Sequence, residues 1–471
     1  MLILFFFILS ASCVFSLVSR RHALIPLLLI GFIQDPFRKL VDGEPIFFIV
    51  TVATVFAVLM LKTISNVGLS RIWEPFLNWV AYVHKPLTLF VTLLLIQFLH
   101  SILRWGNVFV GLIGMVSYTA PLLAIIVGYY AVNNLTDIRN FMKVYISFGL
   151  LVAATVTLSF LGFELTAFQE VGVGLKIYDQ GTVLRSFSGI MRTGEIAAWH
   201  LATTICFMSI IYMTSTQKPP LLLVAVVILF LVLAIAFTGR RKMLMLISLF
   251  GVFYAFGFFY YRRALSVTTL LMSSGVVLVL WGGFEFVFPS EYTPDLQNYL
   301  ARSSSVYSGA SSRFFELGLS PVHWAFERVG LLGGGLGIAS QGAHFFQNTN
   351  VAGGSGEGGL GKVMVELGLP GLVIIFWLMM AFTRYIFRCI SLSSQSFVQP
   401  QLMPLVLGFS VFLLVNIMTF SVASQVYGDI FVLLMLGLVS GFLFAVPKLV
   451  LLSLNSDRTK NMKINLPEST Y

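Results

Sequence analysis

Residues 220–260 read PLLLVAVVILFLVLAIAF, then TGRRK, then MLMLISLFGVFYAFGFFY. A membrane-spanning helix needs about 20 mostly apolar residues, and each of the two long runs is close to that length. Only residues 238–242 separate the runs, which leaves no room for an extended loop. The stretch therefore predicts two membrane helices joined by a tight turn, whose cations are held at the membrane surface.

The rest of the chain has a similar composition. Hydrophobic residues make up 58% and charged residues 10%, whereas a soluble domain has about 45–50% and about 25%. A soluble fold cannot bury so much apolar surface behind so few charges. The composition therefore excludes a soluble enzyme, a secreted disulfide scaffold, a DNA-binding domain and a disordered chain. The net charge of +10 does not indicate a nucleic-acid partner, because basic residues also set membrane orientation.

Apolar runs of membrane-helix character recur along the whole chain. The length rule gives about thirteen of them: 2–18, 22–33, 46–63, 87–102, 108–131, 144–161, 196–216, 220–237, 242–260, 264–284, 364–383, 402–420 and 428–446. The first run is interpreted as a retained helix rather than a signal peptide, because no clear small-residue cleavage site follows it. The predicted fold is an all-α polytopic membrane protein with about 12–13 transmembrane helices and a long extracytoplasmic loop that carries short helices.

Lysine and arginine favour cytoplasmic loops, and their distribution predicts an outside N-terminus and a cytoplasmic C-terminus. Two loops on the predicted outer side, 162–195 and 285–363, are too long to be simple turns. Loops of that length are usually functional or disordered. The predicted organisation follows: N-terminal helices in 1–219 with the loop 162–195, a core in 220–385 with the loop 285–363, C-terminal helices in 386–453, and a polar cytoplasmic tail in 454–471.

The turn between the two opening runs contains Arg240, Arg241 and Lys242. One interpretation is an anchor, with the side chains reaching up to the lipid headgroups. The cluster lies on the predicted outer side, however, where the positive-inside rule disfavours it. The second interpretation is therefore a site for an anionic ligand such as a lipid diphosphate, because the fork of an arginine matches phosphate oxygens. Both interpretations remain open from the residues alone.

The second long loop contains an amphipathic stretch and two glycine-rich segments. The apolar positions of 314–329 recur at helical spacing, which predicts an interfacial helix. The glycines of 333–337 either let the backbone approach a ligand or form a flexible loop. Residues 356–362 nearly match a phosphate-binding P-loop, but Val363 follows where a hydroxyl must stand, so we reject that reading. What remains there is one carboxylate, Glu357.

The first long loop ends in a predicted helix start. Thr193 is a candidate cap, and Glu195 lies in the first turn, where a negative charge is favoured. Trp199 is expected at the membrane interface, and His200 is expected to bond to a neighbouring helix. Capping does not explain the cations upstream, Arg185 and Arg192. The sequence contains no histidine and cysteine residues at metal-ligand spacing. It also contains no acidic pair for a metal-bound nucleotide and no G-x-S-x-G elbow. Residues 34–39 suggest no chemical role.

The order of these features resembles the superfamily of O-antigen ligases and O-antigen polymerases, bacterial glycosyltransferases of the cell envelope. The resemblance rests on the basic turn 238–241, on a long loop that opens with Arg313 and continues with aromatic residues and Gly335-Leu336-Gly337, and on an E-x-G-x-x-G segment at 366–371. It covers roughly 220–385. The remaining helices agree only in number and polarity.

The resemblance implies an undecaprenyl-diphosphate-linked glycan as donor, transferred to a glycan or glycolipid acceptor at the outer face of the bacterial inner membrane. No cofactor, metal or nucleic acid is expected, and a chain-length regulator is a candidate partner. By analogy Arg240 or Arg241, together with Arg313, binds the diphosphate and stabilises the charge that develops on the leaving group. Arg313 is for this reason a candidate catalytic residue, and Arg192 and Arg185, which add cations to the same face, are further candidates for diphosphate binding. His344 and Glu195 are candidate acceptor contacts.

One departure bears on the branch of the superfamily. Ligases typically carry a His-Asn pair about nine residues before the acid of E-x-G, and Glu357-Gly358 stands at that spacing before Glu366. Glu357 is therefore the candidate general base, and a polymerase is favoured over a ligase. A lipid-linked oligosaccharide transporter should line a midplane cavity with polar groups, and the predicted spans have few charges. A non-catalytic scaffold explains the arginine-bearing loops poorly.

Overall fold

The computed structural model describes residues 1–19, 22–77, 81–171, 176–179, 182–262, 298–299, 302, 314–340, 358–395, 399–452 and 454. The helices are α1 Leu2–Val18, α2 Ile25–Lys39, α3 Thr51–Val67, α4 Glu74–Leu77, α5 Ala81–Trp105, α6 Val108–Ala131, α7 Leu135–Phe160, α8 Gly194–Thr214, α9 Leu221–Phe237, α10 Arg241–Arg262, α11 Ser320–Val329, α12 Gly359–Ser393, α13 Leu402–Val422 and α14 Ile430–Phe444. Short 3-10 turns lie at Ile46–Val50, Thr166–Phe168 and Val426–Gly428, and a π-helical turn lies at Phe314–Leu319.

The chain is an all-helical, multi-pass membrane protein, as the sequence predicts. Within the described ranges, 9 helices are long and apolar enough to cross a membrane, and the apolar helices α1 and α9 are shorter. Twelve of the apolar runs expected from the sequence coincide with described helices, and the run 264–284 lies outside the described residues. A small antiparallel hairpin that the sequence does not predict, β1 Lys176–Asp179 and β2 Thr182–Arg185, lies in the first long loop.

Small residues allow the helices to pack closely. On α6, a Cβ on Gly128 would stand 2.5 Å from the carbonyl oxygen of Leu438 on α14. On α14, a Cβ on Gly441 would stand 2.4 Å from the carbonyl oxygen of Ile125 on α6. Membrane helices associate through such contacts because lipid supplies no hydrophobic driving force between them. Helices α6 and α14 therefore form a closely packed pair.

Two polar clusters mark opposite ends of the bundle. At one end, Arg139 near the start of α7 donates to the side chain of Gln401 at 3.0 Å, and Lys448 donates to the carbonyl oxygen of Val132 at 2.8 Å. We call this end the tail end, because α14 runs towards it. The other end, where α7 ends and α8 begins, is called the loop end. The cations expected on the outer side, Arg192 and Arg240, both lie at the loop end.

Candidate functional site

The loop end brings together several of the residues expected to bind the substrate. Arg185, Arg192, Glu195, Arg240 and Arg241 lie in described segments at this end of the bundle. The remaining candidates lie outside the described residues: Arg313, His344 and Glu357. Their roles therefore stay predictions.

Arg192 is the centre of a buried ion triad. Its Nη1 lies 3.5 Å from Oδ1 of Asp35 on α2, and its Nη2 contacts Oδ2 of Asp429. Its backbone N–H donates to Oδ2 of Asp35 at 3.0 Å. Asp429 also caps α14 by accepting from the N–H of Val432 at 2.9 Å. Two carboxylates thus hold this guanidinium below the surface, and the expected contact of Arg192 with a diphosphate stays a prediction.

Lys39, at the end of α2, ties the same loop down by a second route. Its Nζ donates to the carbonyl oxygens of Gly189 at 2.7 Å and Met191 at 2.6 Å. Residues 34–39 thus have a clear function in the structure, which the sequence reasoning missed. The available signal was a buried position for charged groups at the end of an apolar run, because such groups are costly unless they have partners.

Glu195 connects the start of α8 to the turn between α9 and α10. Oγ1 of Thr193 accepts from the N–H of Ile196 at 3.4 Å, so the predicted cap is confirmed. Oε1 of Glu195 lies 3.4 Å from Nη1 of Arg240. The amide of Gln425, oriented to satisfy both side chains, donates to the two Glu195 oxygens at 2.7 and 2.8 Å. Glu195 therefore orients Arg240 at the loop end.

The two aromatic side chains one turn further along α8 face the bundle interior. His200 Nδ1 lies 2.7 Å from the hydroxyl of Tyr145 on α7, so the expected bond to a neighbouring helix is confirmed. The expectation that Trp199 lies at the membrane interface is wrong. Its ring is fully buried among the helices, and its Nε1 donates to Oδ1 of Asn416 at 2.8 Å. The amide of Asn416 thus gives the indole N–H a hydrogen-bond partner inside the bundle.

Arg241 and Lys242 open onto an apolar cleft of about 140 Å³ between α10, α13 and the π-helical turn. Residues 241, 245 and 249 follow one another at the helical repeat on α10, so Met245 and Leu249 line the cleft one and two turns below the cations. Its other lining residues are Phe314, Leu317, Met418, Thr419, Ser421 and Val422. Charge at one end and apolar side chains below it make the cleft amphipathic.

The cleft is open towards the lipid. Met418 keeps 39% of its surface exposed and Phe314 42%, and in a bilayer such surface faces acyl chains. Lys242 Nζ donates to the carbonyl oxygen of Val422 at 3.4 Å, which holds its ammonium at the end of α13. The helix expected at 314–329 is confirmed as the π-helical turn followed by α11, and its position at the membrane interface stays a prediction. This element forms one wall of the cleft.

The glycine segment 333–337 packs against other backbone and is neither a flexible loop nor an open ligand cradle. Gly368, at φ 69, interrupts α12, and a Cβ there would stand 2.4 Å from the carbonyl oxygen of Leu331. The N–H of Gly334 donates to the carbonyl oxygen of Val365 at 2.6 Å. The fully buried Glu366 accepts from Ala339 N–H at 3.1 Å and from Ser340 Oγ at 2.8 Å. The E-x-G segment thus fixes the course of the second long loop.

Glu170 is a further acidic group at the loop end that the sequence reasoning did not single out. It is half-buried, and its Oε1 is sealed from solvent without a hydrogen-bond partner in the described part of the chain. Burial raises the pKa of Glu170 to about 7, although Arg240, Lys39 and Arg185 act to lower it. Nothing in its local sequence, Ala167-Phe168-Gln169-Glu170, distinguishes it from a solvated loop acid.

Arg185 stands on the exposed side of the hairpin. Its guanidinium lies 5.5 Å from the centre of the Phe187 ring, and its carbonyl oxygen accepts from the hydroxyl of Tyr299. In the described segments, no three His, Cys, Asp or Glu side chains converge in a way that could hold a metal ion. The described loop end therefore presents cationic side chains beside carboxyl groups.

The sequence matches no protein-family profile, and it matches no characterised protein. The resemblance to the O-antigen ligase and polymerase superfamily therefore depends on the motif residues quoted above.

Proposed function

We propose that the chain is a membrane glycosyltransferase that polymerises lipid-diphosphate-linked oligosaccharide repeat units at the outer face of the bacterial inner membrane. In this assignment the loop end is the extracytoplasmic end and the tail end is cytoplasmic. The donor is an undecaprenyl-diphosphate-linked glycan, and the acceptor is a second such glycan. The reaction requires neither a nucleotide sugar nor a metal, as the family resemblance implies.

The observation that carries the proposal is the amphipathic cleft beneath Arg241 and Lys242. A lipid diphosphate has a doubly charged head attached directly to a long apolar chain. The cations at the start of α10 can bind the charged head, and the apolar residues up to two turns further along the helix can contact the first isoprene units. Eight residues of helix rise about 12 Å, which matches a few such units. Because the cleft is open on its lipid side, the remaining isoprene units of the donor can stay in the bilayer.

The cations also suit the chemistry of the transfer. When the bond between the anomeric carbon and the phosphate oxygen breaks, negative charge develops on the departing lipid diphosphate. Cationic groups that are already oriented stabilise such charge without reorganising. Glu195, which accepts from the amide of Gln425, orients Arg240, and the carbonyl of Val422 orients Lys242. The predicted contribution of Arg313 adds to this set from the second long loop.

The test uses the purified full-length chain in lipid nanodiscs with a lipid-diphosphate-linked repeat unit as the only substrate. The wild type should produce glycans of several repeat units. The Arg241→Ala/Lys242→Ala double variant should lose most of this activity and bind the donor more weakly. Arg104→Ala is the matched control, because Arg104 is an exposed cation near the end of α5 that does not line the cleft. Equal activity of the double variant and the control would overturn the cleft as the donor site.

The ligase alternative uses the same donor and differs in the acceptor. Supplying a lipid A core glycolipid in the same assay separates the two. Extension of the donor alone supports the polymerase, whereas transfer only to the added glycolipid supports the ligase. A transporter would move the donor between leaflets and form no new glycosidic bond.

A further inference from the structure

The short segment that carries Glu170 is fixed to the core of the loop end. It follows the 3-10 turn Thr166–Phe168, and the next N–H, that of Val171, donates to the carbonyl oxygen of Arg192 at 3.2 Å. Arg192 is itself held by Asp35 and Asp429. The residue after Glu170 is thus bonded to a residue that two carboxylates hold in place, although the segment lies in a loop.

Three cations from three different elements act on the Glu170 carboxyl group. They are Lys39 from α2, Arg185 from β2 and Arg240 from the turn between α9 and α10. Two further acids, Asp35 and Glu44, face Lys39 from α2 and from the residues that follow it. Arg240 also pairs with Glu195. The carboxyl group therefore lies among cations that include Arg240, one of the residues proposed above to stabilise the departing diphosphate.

One oxygen of the Glu170 carboxyl group has no hydrogen-bond partner among the described residues. Oε1 is closed off from solvent and makes no hydrogen bond to the described residues. A buried acceptor without a hydrogen-bond donor is energetically costly. Such atoms in a native structure call for an explanation, and a catalytic role is one of the recognised explanations. A sugar hydroxyl that displaces the protein atoms covering Oε1 would supply the hydrogen-bond donor that this oxygen lacks.

We propose that Glu170 is the proton acceptor for the attacking sugar hydroxyl in the glycosyl transfer proposed above. The inference rests on that proposed function. The acceptor O–H donates to the carboxylate, and its oxygen forms the new bond to the anomeric carbon of the donor. The bond from that carbon to the phosphate oxygen breaks, and the electron pair leaves with the lipid diphosphate. The proton is left on Glu170 and passes to solvent after the products separate.

The acidity of Glu170 agrees with this role. A general base works best when its pKa lies near the working pH. Burial raises the pKa of Glu170 to about 7, and Arg240, Lys39 and Arg185 oppose a further rise. The carboxylate form is the active one, so kcat/KM should rise with pH through about 7 and then level off. Protonation below that range removes the base and should slow transfer.

The sequence assigns the same role to Glu357, which lies outside the described residues. The two assignments give different results in one experiment. The variants Glu170→Gln and Glu357→Gln are prepared beside Glu164→Gln, in which an exposed acid of the same loop is neutralised. Each is reconstituted in nanodiscs and assayed for glycan extension between pH 5.5 and 8.5. Binding of the donor is measured separately for each variant.

We expect Glu170→Gln to lose roughly a hundredfold in kcat/KM or more and to lose the inflection near pH 7, with donor binding retained. Glu170→Ala should be partly rescued by formate, a small carboxylate, which a purely structural role would not allow. Glu164→Gln should behave as the wild type. If Glu170→Gln keeps both the rate and the pH profile of Glu164→Gln while the wild type extends glycans, the inference is wrong and the proposed function stands. If Glu357→Gln alone loses the inflection, Glu357 is the base. A wild type that forms no glycosidic bond overturns the proposed function itself.

Discussion

Replacing Arg192 with leucine should lower the free energy of unfolding more than the replacement of any exposed cation does. The substitution removes the only positive group that the structure places in direct contact with Asp35 and Asp429 in the described residues. Both carboxylates have side chains no more than 3% exposed, so water cannot solvate them in place of the guanidinium. Breaking a buried ion pair by removing one partner costs about 3–5 kcal/mol. The backbone N–H of residue 192 can still donate to Asp35, which favours the lower part of that range.

The free energy of unfolding can be measured for the full chain by denaturant titration in lipid bicelles. Arg104→Ala, at an exposed site, is the control and should change it by less than about 1 kcal/mol. Adding Asp35→Asn and Asp429→Asn to Arg192→Leu should restore part of the loss, because no uncompensated charge then remains buried. Asparagine also serves as a helix cap, so α14 should keep its start. A loss for Arg192→Leu no larger than that of the control would refute the buried triad.

Further predictions concern local contacts. Gly368→Ala should lower the thermal unfolding midpoint, because position 368 has φ 69 and a Cβ would stand 2.4 Å from the carbonyl oxygen of Leu331. Gly162→Ala is the control for backbone strain alone, because position 162 has φ 91 and no atom within 4 Å of the added Cβ. An equal shift of the midpoint for both variants would contradict the packing argument. Trp199→Phe should cost about 1 kcal/mol through loss of the bond to Asn416, measured by the same denaturant titration. A neutral effect there would mean that the indole N–H finds no partner in the bundle.

Most of the helical architecture can be predicted from the sequence. Long apolar runs define spans whatever their partners are, because every backbone group in lipid must be satisfied within the helix. The cap at Thr193 is equally local, since it needs only a hydroxyl and the N–H of Ile196. These features depend on residues that are close in the chain. The helical element at 314–329 is predicted on the same local grounds.

The contacts that build the site are not local, and the sequence alone could not supply them. Arg192 meets Asp35 and Asp429 across separations of 157 and 237 residues. Glu170 acquires its unusual environment from α2, β2 and the turn after α9. The glycines of the second long loop looked like loop punctuation, yet Gly333 packs against the backbone of Gly368. In each case tertiary partners determine what an ordinary residue does.

The central claim is that the chain polymerises lipid-linked glycans, and a strain that lacks the gene tests it most directly. Envelope glycans of the deletion strain are separated by gel, with and without the wild-type gene and with the Arg241→Ala/Lys242→Ala variant. We predict loss of the length ladder, with single repeat units still attached to the outer glycolipid, and recovery only with the wild-type gene. Loss of all attachment, with long chains left on the carrier lipid, would show a ligase. An unchanged ladder would contradict the assignment to this polysaccharide.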